Sequence, residues 1–416
     1  MDLSPDVLVI GGGAVGVSCA YYLSREDLSV ALIDQENITS GCSEANAGLL
    51  AASYAIPLAS PGALGMGLKS IFKPASPFYI KPRLDVQLFR WLWLFTRSCR
   101  KQKMLGGLPV LKELNYASLA LYDSMIQEEK LDCDYGKRGW LLAYKTEKGF
   151  QSALEEVALL QKYGVATETL SPQETLALEP ILKPEMVGGV FHPTDAHLDP
   201  KKFVTALAER CQERGADIQT GTKAAGFAID NGQVTGVKTS QGLIKPKQIV
   251  LAVGAWSKQI AQLLGEKMPV QPAKGYSITI PAPNPCPQVP LYLSEAKVAV
   301  TPLKDALRLG GTLELAGMTL AINRGRVGAI SKAAEDYMLP IEAKGEPEIW
   351  SGLRPCSPDG LPFIGRLKQF RNVMVATGHA MLGMHLAPVT GKLIAQVACA
   401  QKPDIDLTPF RIDRFS

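Results

Sequence analysis

The sequence predicts an α/β protein in two parts. One is a parallel, helix-covered sheet assembled from three separated pieces of chain; the other is an α+β part with a mixed sheet. Three observations predict this. Val7-Leu8-Val9-Ile10 reads as a buried strand and runs straight into Gly11-Gly12-Gly13-Ala14-Val15-Gly16. Strand patterns at residues 247–253 and 373–376 likewise run into Gly254 and Gly378. Between these pieces lie a helix-rich stretch and a strand-rich one. Residues 1–85, 195–265 and 350–416 are therefore assigned to the first part, and 86–194 and 266–349 to the second.

Gly11, Gly13 and Gly16 have the G-x-G-x-x-G spacing. That spacing leaves room for a tight turn, for a pyrophosphate against the backbone, and for a helix packed close on the strand. The helix opening there turns unpaired N–H groups toward the phosphates. Val15, Cys19, Tyr22 and Leu23 continue at helical spacing, and a strand at 29–33 ends in Asp34. Asp34 stands 18 residues past Gly16, where an acid reaches an adenosine ribose. The opening unit is Rossmann-like.

The chain has 416 residues, 46% hydrophobic and 20% charged, an ordinary globular composition. Its eight cysteines form no C-x-x-C pair, which excludes a zinc ribbon and suggests reduced thiols and a cytoplasmic setting. The first strand starts too early for a signal peptide, and no run of ~18 apolar residues exists to span a membrane. A net charge of +4 gives no reason to expect nucleic-acid binding. The charge is uneven, however. Residues 64–104 hold nine cations (Lys69, Lys73, Lys81, Arg83, Arg90, Arg97, Arg100, Lys101 and Lys103) against one anion, Asp85. Phe72, Phe78, Tyr79, Trp91, Trp93 and Phe95 are interleaved with them. Two readings stand: an interdomain cover with a solvated basic face, or a peripheral contact with the inner face of the cytoplasmic membrane, where electrons pass to a quinone.

Further elements follow in order. The loop from Ser40 to Leu50 is small and weakly charged, as suits backbone against a ligand. Helical stripes are predicted over 86–100 and 111–127. A strand is expected at 139–144 and a helix at 150–163. Asp199-Pro200 starts a helix that ends before Gly215. Asn231-Gly232 turns a hairpin over 227–238. Strands at 276–280, 298–301 and 307–309 belong to the second sheet, a helix follows at 330–338, and the last helix spans about 388–399.

Together these pieces resemble the D-amino-acid oxidase superfamily of FAD enzymes. The resemblance rests on Gly11 to Gly16; Ser43-x-Ala45-Asn46-Ala47-Gly48; Leu84-Asp85-x-x-x-Leu88; Gly254-x-Trp256-Ser257; Lys274-Gly275-Tyr276-Ser277; Gly352-Leu353-Arg354-Pro355-x-x-Pro358-Asp359-Gly360-x-Pro362; and Thr377-Gly378-His379-x-x-Leu382-Gly383. It implies an FAD domain and a substrate domain. It places Ala45, Asn46, Ala47, Gly48 and Leu49 along the pyrophosphate and flavin, and Ala224 at the adenine. Gly254 and Trp256 would flank the diphosphate. Gly378, His379, Met381, Leu382, Gly383 and Met384 would close over the flavin. Ala14, Val15, Gln35, Ser43, Ala252, Gly352 and Pro355 complete the expected FAD contacts. His379 is expected to meet the cofactor through its backbone. Two departures stand out: Met381 occupies the place of an arginine found in glycine-oxidase-like members, and Cys356 is out of register with the cysteine that tethers flavin in sarcosine oxidases.

The resemblance implies oxidation of a D-amino acid, with D-proline or hydroxy-D-proline dehydrogenase and glycine or sarcosine oxidase as alternatives. A non-catalytic electron-transfer flavoprotein is the alternative from another class. A substrate carboxylate calls for a planar, two-pronged cation, and Arg354 is the candidate. Tyr276 and Tyr292 lie in the predicted substrate sheet, either donating to that carboxylate or packing as core aromatics. Neither metal-ligand spacing nor a second dinucleotide motif is present. Composition carries no sign of the oligomeric state.

Overall fold

The computed structural model describes residues 4–63, 65 and 76–415. Its first layer is a six-stranded sheet in the order Phe363–Arg366, Val373–Thr377, Gln248–Leu251, Val7–Ile10, Val30–Ile33, Asp217–Gln219. All neighbours are parallel except the first pair. Val7 and Val9 enter one core and Leu8 and Ile10 the other, so the opening strand is apolar on both faces. Helices Ala14–Leu23, Pro200–Glu213 and Ala387–Ala398 cover one side. The hairpin strands Ala224–Asp230 and Gln233–Thr239 cover the other. Asn231 and Gly232 turn that hairpin with φ of 46° and 73°, both positive as a type I′ turn requires. Asp199 caps the helix Pro200–Glu213 by accepting from the Lys202 N–H at 3.0 Å.

Close packing rests on two glycines. A Cβ on Gly16 would stand 1.8 Å from the Gly11 carbonyl oxygen. One on Gly391 would stand 2.4 Å from the Ser18 oxygen, so the first and last helices touch backbone to backbone.

The second sheet has nine strands. Eight run in the order Glu348–Cys356, Gln271–Pro281, Ala306–Leu315, Val298–Pro302, Leu291–Leu293, Trp140–Tyr144, Gly188–His192, Glu168–Leu170, and Phe78–Ile80 pairs alongside Ala306–Leu315. Helix Arg324–Tyr337 packs its Val327, Ile330 and Ala333 on one face.

The layers do not change at the expected boundaries. Glu348–Cys356 crosses position 350 and pairs along its length with Gln271–Pro281, so the Gly-Leu-Arg-Pro box lies in the second sheet. The helix expected over 111–127 runs instead from Lys101 to Glu129. It packs Leu111, Leu114 and Tyr122 into the same core as Val7 and Val9. Gly106, Gly107 and Pro109 lie inside it. In the fold Gly107 gives close approach to Pro57, where a Cβ would stand 3.0 Å from the proline ring.

Candidate active site

A cleft of about 510 Å³ opens at the carboxyl ends of the parallel strands, where doubly wound sheets bind ligands. Sixteen of the residues expected to hold a cofactor line it: Gly11, Gly13, Ala14, Val15, Asp34, Gln35, Ser43, Asn46, Ala224, Ala252, Gly254, Trp256, Pro355, His379, Gly383 and Met384. The local chemistry suits a dinucleotide. A Cβ on Gly13 would meet only the Ser43 hydroxyl, at 3.3 Å, so the space in front of it is open for phosphate. Gly11 holds φ 115°, and a Cβ there would strike the Ala252 oxygen at 2.5 Å. Ser43 Oγ accepts from the Ala14 N–H at 3.0 Å, which ties the small-residue loop to the helix N-terminus. Asp34 Oδ2 accepts from the Gly12 N–H at 2.6 Å and Oδ1 from the Glu36 N–H at 2.8 Å. Its remaining lone pairs stay available to hydroxyl donors.

The other expected contacts lie outside the lining. Gly16 is in the helix Ala14–Leu23, packed on the Gly11 carbonyl. Gly48, at φ 76°, presses on the Leu198 carbonyl, and Leu49 pairs with His197. Ala47 rests against Gly310, 3.2 Å from where a Cβ would be. Gly352 lies beneath the Trp350 ring and Gly378 beside Phe363. Ala45 and Leu382 are buried, and Met381 is half-buried in the turn Ala380–Leu382. His379 places its Nε2 3.0 Å from Thr390 Oγ1, and burial lowers its pKa to about 3, so the ring is a neutral, packed group. Cys42, Thr222, Val253 and Gln259 line the cleft without having been singled out in the sequence. Cys42, Val253 and Gln259 stand beside glycine motifs, and that adjacency was their only signal; Thr222 had none.

Register sorts the substrate candidates by face. Directly paired residues share a face, and Tyr292, Ala299, Gly310, Ser277 and Trp350 form one such row. Alternation puts Gly352 and Arg354 on the same face. This face meets the cofactor loop: Gly310 lies against Ala47, and Arg308 Nη1 donates to the Asn46 carbonyl at 3.2 Å. Ser277 Oγ, Thr301 Oγ1 and Trp140 Nε1 on this face are buried without a hydrogen-bond partner among the described residues.

Arg354 lies flat over Gly275. A Cβ there would stand 2.0 Å from Nη1 and 2.4 Å from Cζ. Arg354 Nη1 also donates to the Thr312 carbonyl at 2.8 Å. Thr312, at φ 64°, sits where the ladder shifts register, so a β-bulge aims that carbonyl. Gly275 and Thr312 thus position the guanidinium. No acidic side chain among the described residues lies within 4.0 Å of Arg354. Its charge reaches the Cys42 thiol in the cleft and the Tyr292 phenol. Tyr292 stands edge-on to Trp140 at 5.5 Å between ring centroids, and burial keeps its phenol protonated.

Tyr276 is corrected. It pairs with Ser351, an odd number of steps from Arg354, and so points through the opposite face of the sheet. Its hydroxyl donates to Glu314 Oε2 at 2.8 Å, within a buried cluster that includes Lys274 at 3.7 Å and Arg326 at 3.5 Å from the same oxygen. An aromatic in a strand carries no mark of its face until register is known.

Comparison with known proteins agrees with this geometry. Residues 6–397 match the family described as DAO, FAD dependent oxidoreductase. A D-amino acid dehydrogenase of Granulibacter bethesdensis is 32% identical over 416 residues, covering 99% of both chains. One from Bradyrhizobium diazoefficiens is 31% identical, with the same coverage. Among solved structures, glycine oxidase from Geobacillus kaustophilus superposes with a TM-score of 0.79 at 23% identity, over 99% of each chain. L-proline dehydrogenase from P. horikoshii superposes with a TM-score of 0.73 at 21% identity, over 100% of this chain and 98% of the other. A strand-glycine-helix cradle backed by a mixed sheet, matched over nearly the whole length, places this chain in the DAO family of FAD-dependent oxidoreductases.

Proposed function

We propose that the enzyme oxidises a free D-amino acid at its α-carbon. The product is a 2-imino acid, which water hydrolyses to a 2-oxo acid and ammonia, and the electrons leave to a lipid-soluble quinone. The observation that carries this reading is Arg354, a half-buried guanidinium that faces the cleft side of the sheet with no carboxylate within 4.0 Å among the described residues. A free amino acid supplies that carboxylate. The names of the full-length relatives support the D configuration and a dehydrogenase rather than an oxidase.

FAD held by the glycine cradle of Gly11 and Gly13 and by Ser43 and Asp34 would supply the two-electron acceptor for oxidation at the substrate α-carbon. The protein's part is orientation. Arg354 pairs with the carboxylate through two parallel N–H donors. Tyr292, still protonated, donates to the same group from across the face. Ser277, Thr301 and Trp140 offer further polar atoms to the substrate or to water. Neutral His379, bonded to Thr390, has no proton to give at neutral pH and serves to hold its turn. Such positioning converts binding energy into a near-attack geometry.

The test is anaerobic bleaching of the flavin absorbance with a panel of D-amino acids, glycine, sarcosine and D-proline, followed by reoxidation with a quinone analogue or with oxygen. The proposal expects bleaching by D-amino acids and faster return of colour with the quinone. Bleaching by glycine or sarcosine alone, with rapid peroxide release, would refute it.

A further inference from the structure

The helix Glu147–Lys162 lies on the substrate side of the second sheet, beyond the residues described so far. Register shows this. Tyr292 pairs with Leu142, so Trp140, Leu142 and Tyr144 share the face of Tyr292 and Arg354. The helix sets Ala153 and Val157 on Tyr144 and Val190 of that face. Phe150 fills the space over Gly188, where a Cβ would stand 2.5 Å from its ring, and its ring centre is 5.7 Å from that of Tyr144. Further along the helix, Leu160 packs with Ala55 and Leu108. The helix therefore bridges the sheet and the segment that follows the cofactor loop. That segment is pinned. Asn115 Nδ2 donates to the Tyr54 carbonyl at 2.9 Å, and the Ser53 N–H donates to Asp195 Oδ1 at 3.0 Å. Farther down the same segment, Lys69, Phe72 and Lys73 of the basic stretch lie outside the described residues.

Glu156 stands at the edge of the stripe that makes both contacts, three residues after Ala153 and four before Leu160. Its charge reaches three phenols from separate parts of the chain, Tyr54, Tyr144 and Tyr292. Solvent reaches the side chain, yet the protein around it desolvates the carboxyl and raises its pKa. A group that is accessible and still desolvated stands in the wall of a cavity, not on a convex surface. No cation lies within 4.0 Å of it among the described residues. Lys297 attracts it from farther off. That lysine is exposed in the turn before Val298–Pro302, with its ammonium 5.8 Å from the Tyr292 ring centre.

Strand order sets the span from Arg354. Its guanidinium reaches the strand Ala306–Leu315 at the Thr312 carbonyl. The next strands are Val298–Pro302, Leu291–Leu293 and Trp140–Tyr144. Gly311 pairs with Val298, Val298 with Leu293, and Leu293 with Ala143, so Thr312 and Tyr144 stand one residue beyond the same row. Three steps of about 4.8 Å make roughly 14 Å, with Tyr292 between the two charges. A carboxylate on Arg354, five bonds from α-carbon to a lysine-type ammonium at roughly 1.3 Å of reach each, and an ion contact at either end come to about the same length.

We propose that Glu156 closes the side-chain end of the substrate chamber and selects D-amino acids whose side chains end in a cation, such as D-lysine and D-ornithine. The aromatic walls suit the apolar stem, and the carboxylate takes the ammonium. A neutral side chain of that length would displace water from the carboxylate and give nothing back. This deepens the function proposed above and rests on that reading.

The test compares kcat/KM for D-lysine and for D-norleucine, which has the same four-carbon stem without the ammonium. FAD-loaded native enzyme, Glu156→Gln and Glu156→Lys are assayed with a soluble dye as acceptor, and flavin content and melting temperature are recorded for each. The ratio of the two substrates cancels any general loss of activity. The native enzyme should favour D-lysine by at least about tenfold, the worth of one charge-assisted contact. Glu156→Gln should abolish that preference, and Glu156→Lys should reverse it. A native ratio near one, or a ratio that Glu156→Gln leaves within about twofold of native, overturns the inference. So does a Glu156→Lys enzyme that still favours D-lysine. Turnover of D-norleucine shows that oxidation at the α-carbon holds whichever way the ratio falls, whereas no flavin bleaching by any D-amino acid sinks the functional reading and this inference with it.

Discussion

Gly275→Ala is a one-carbon change that separates Arg354's geometry from its charge. The new Cβ would stand 2.0 Å from Nη1 and 2.4 Å from Cζ and Nη2. Carbon and nitrogen need roughly 3.5 Å, so the guanidinium must shift by more than about 1 Å. The backbone is at no disadvantage, because Gly275 sits in a regular strand pair with Gly352. The shift breaks the two-pronged match to the substrate carboxylate while the positive charge remains in the site. Losing a charge-assisted contact costs about 1.5–3 kcal/mol, or roughly a 10- to 150-fold fall in kcat/KM. FAD content should not change, since Gly275 does not line the cofactor cleft. The assay is steady-state dye reduction with a D-amino acid, together with anaerobic substrate titration. Arg354→Ala should give a loss of similar size. In the double variant Gly275→Ala should add almost nothing, because the group it displaces is gone. Unchanged kcat/KM in Gly275→Ala, or full additivity in the double variant, would refute the assignment of Arg354.

Further outcomes follow from the same geometry. Gly13→Val should fold, since only the Ser43 hydroxyl stands near the new Cβ, yet it should purify without flavin colour; normal FAD content would refute the phosphate cradle. Gly16→Ala should instead lower the melting temperature sharply, because its Cβ would overlap the Gly11 carbonyl 1.8 Å away; a melting temperature within a degree or two of native would contradict the packing. The four histidines of the chain, His192, His197, His379 and His385, are all buried, with pKa values lowered to about 4, 4, 3 and 3. Burial is the first cause for each. The unfolded chain then binds protons below about pH 6.5 that the native state does not, so stability is complete above that pH and falls as pH drops toward 4. Buried Asp195 works the other way: burial raises its pKa to about 7 against the opposing Ser53 donors, so it costs stability as pH rises from about 4 to 7. The four histidines outnumber Asp195, so stability should fall as pH drops below about 6.5. Thermal melts across that range test it, and a flat profile from pH 6.5 to 5 would contradict it. Asp195→Asn should steepen the acid limb, because the opposing group is removed.

The sequence by itself determined the cofactor half. Val7 to Asp34 is a contiguous βαβ unit, and local sequence is enough to place its turn, its helix N-terminus and its acid. The hairpin at Asn231-Gly232 and the capped helix after Asp199 were legible for the same reason: their causes lie within a few residues. What the tertiary structure decided was everything that depends on face and register. Tyr276 and Tyr292 look alike in sequence, yet pairing sends one to Glu314 behind the sheet and leaves the other on the Arg354 side. Gly275 stood in a recognised motif, but its role, to leave room for a guanidinium from another strand, exists only once Gly275 and Gly352 are paired. The basic stretch showed its charge at once. Its tie to the second sheet, from Arg83 Nη1 to the Leu315 carbonyl, spans more than two hundred residues of chain. A side chain's own chemistry is local, whereas the side it faces is set by hydrogen bonds between strands far apart in sequence.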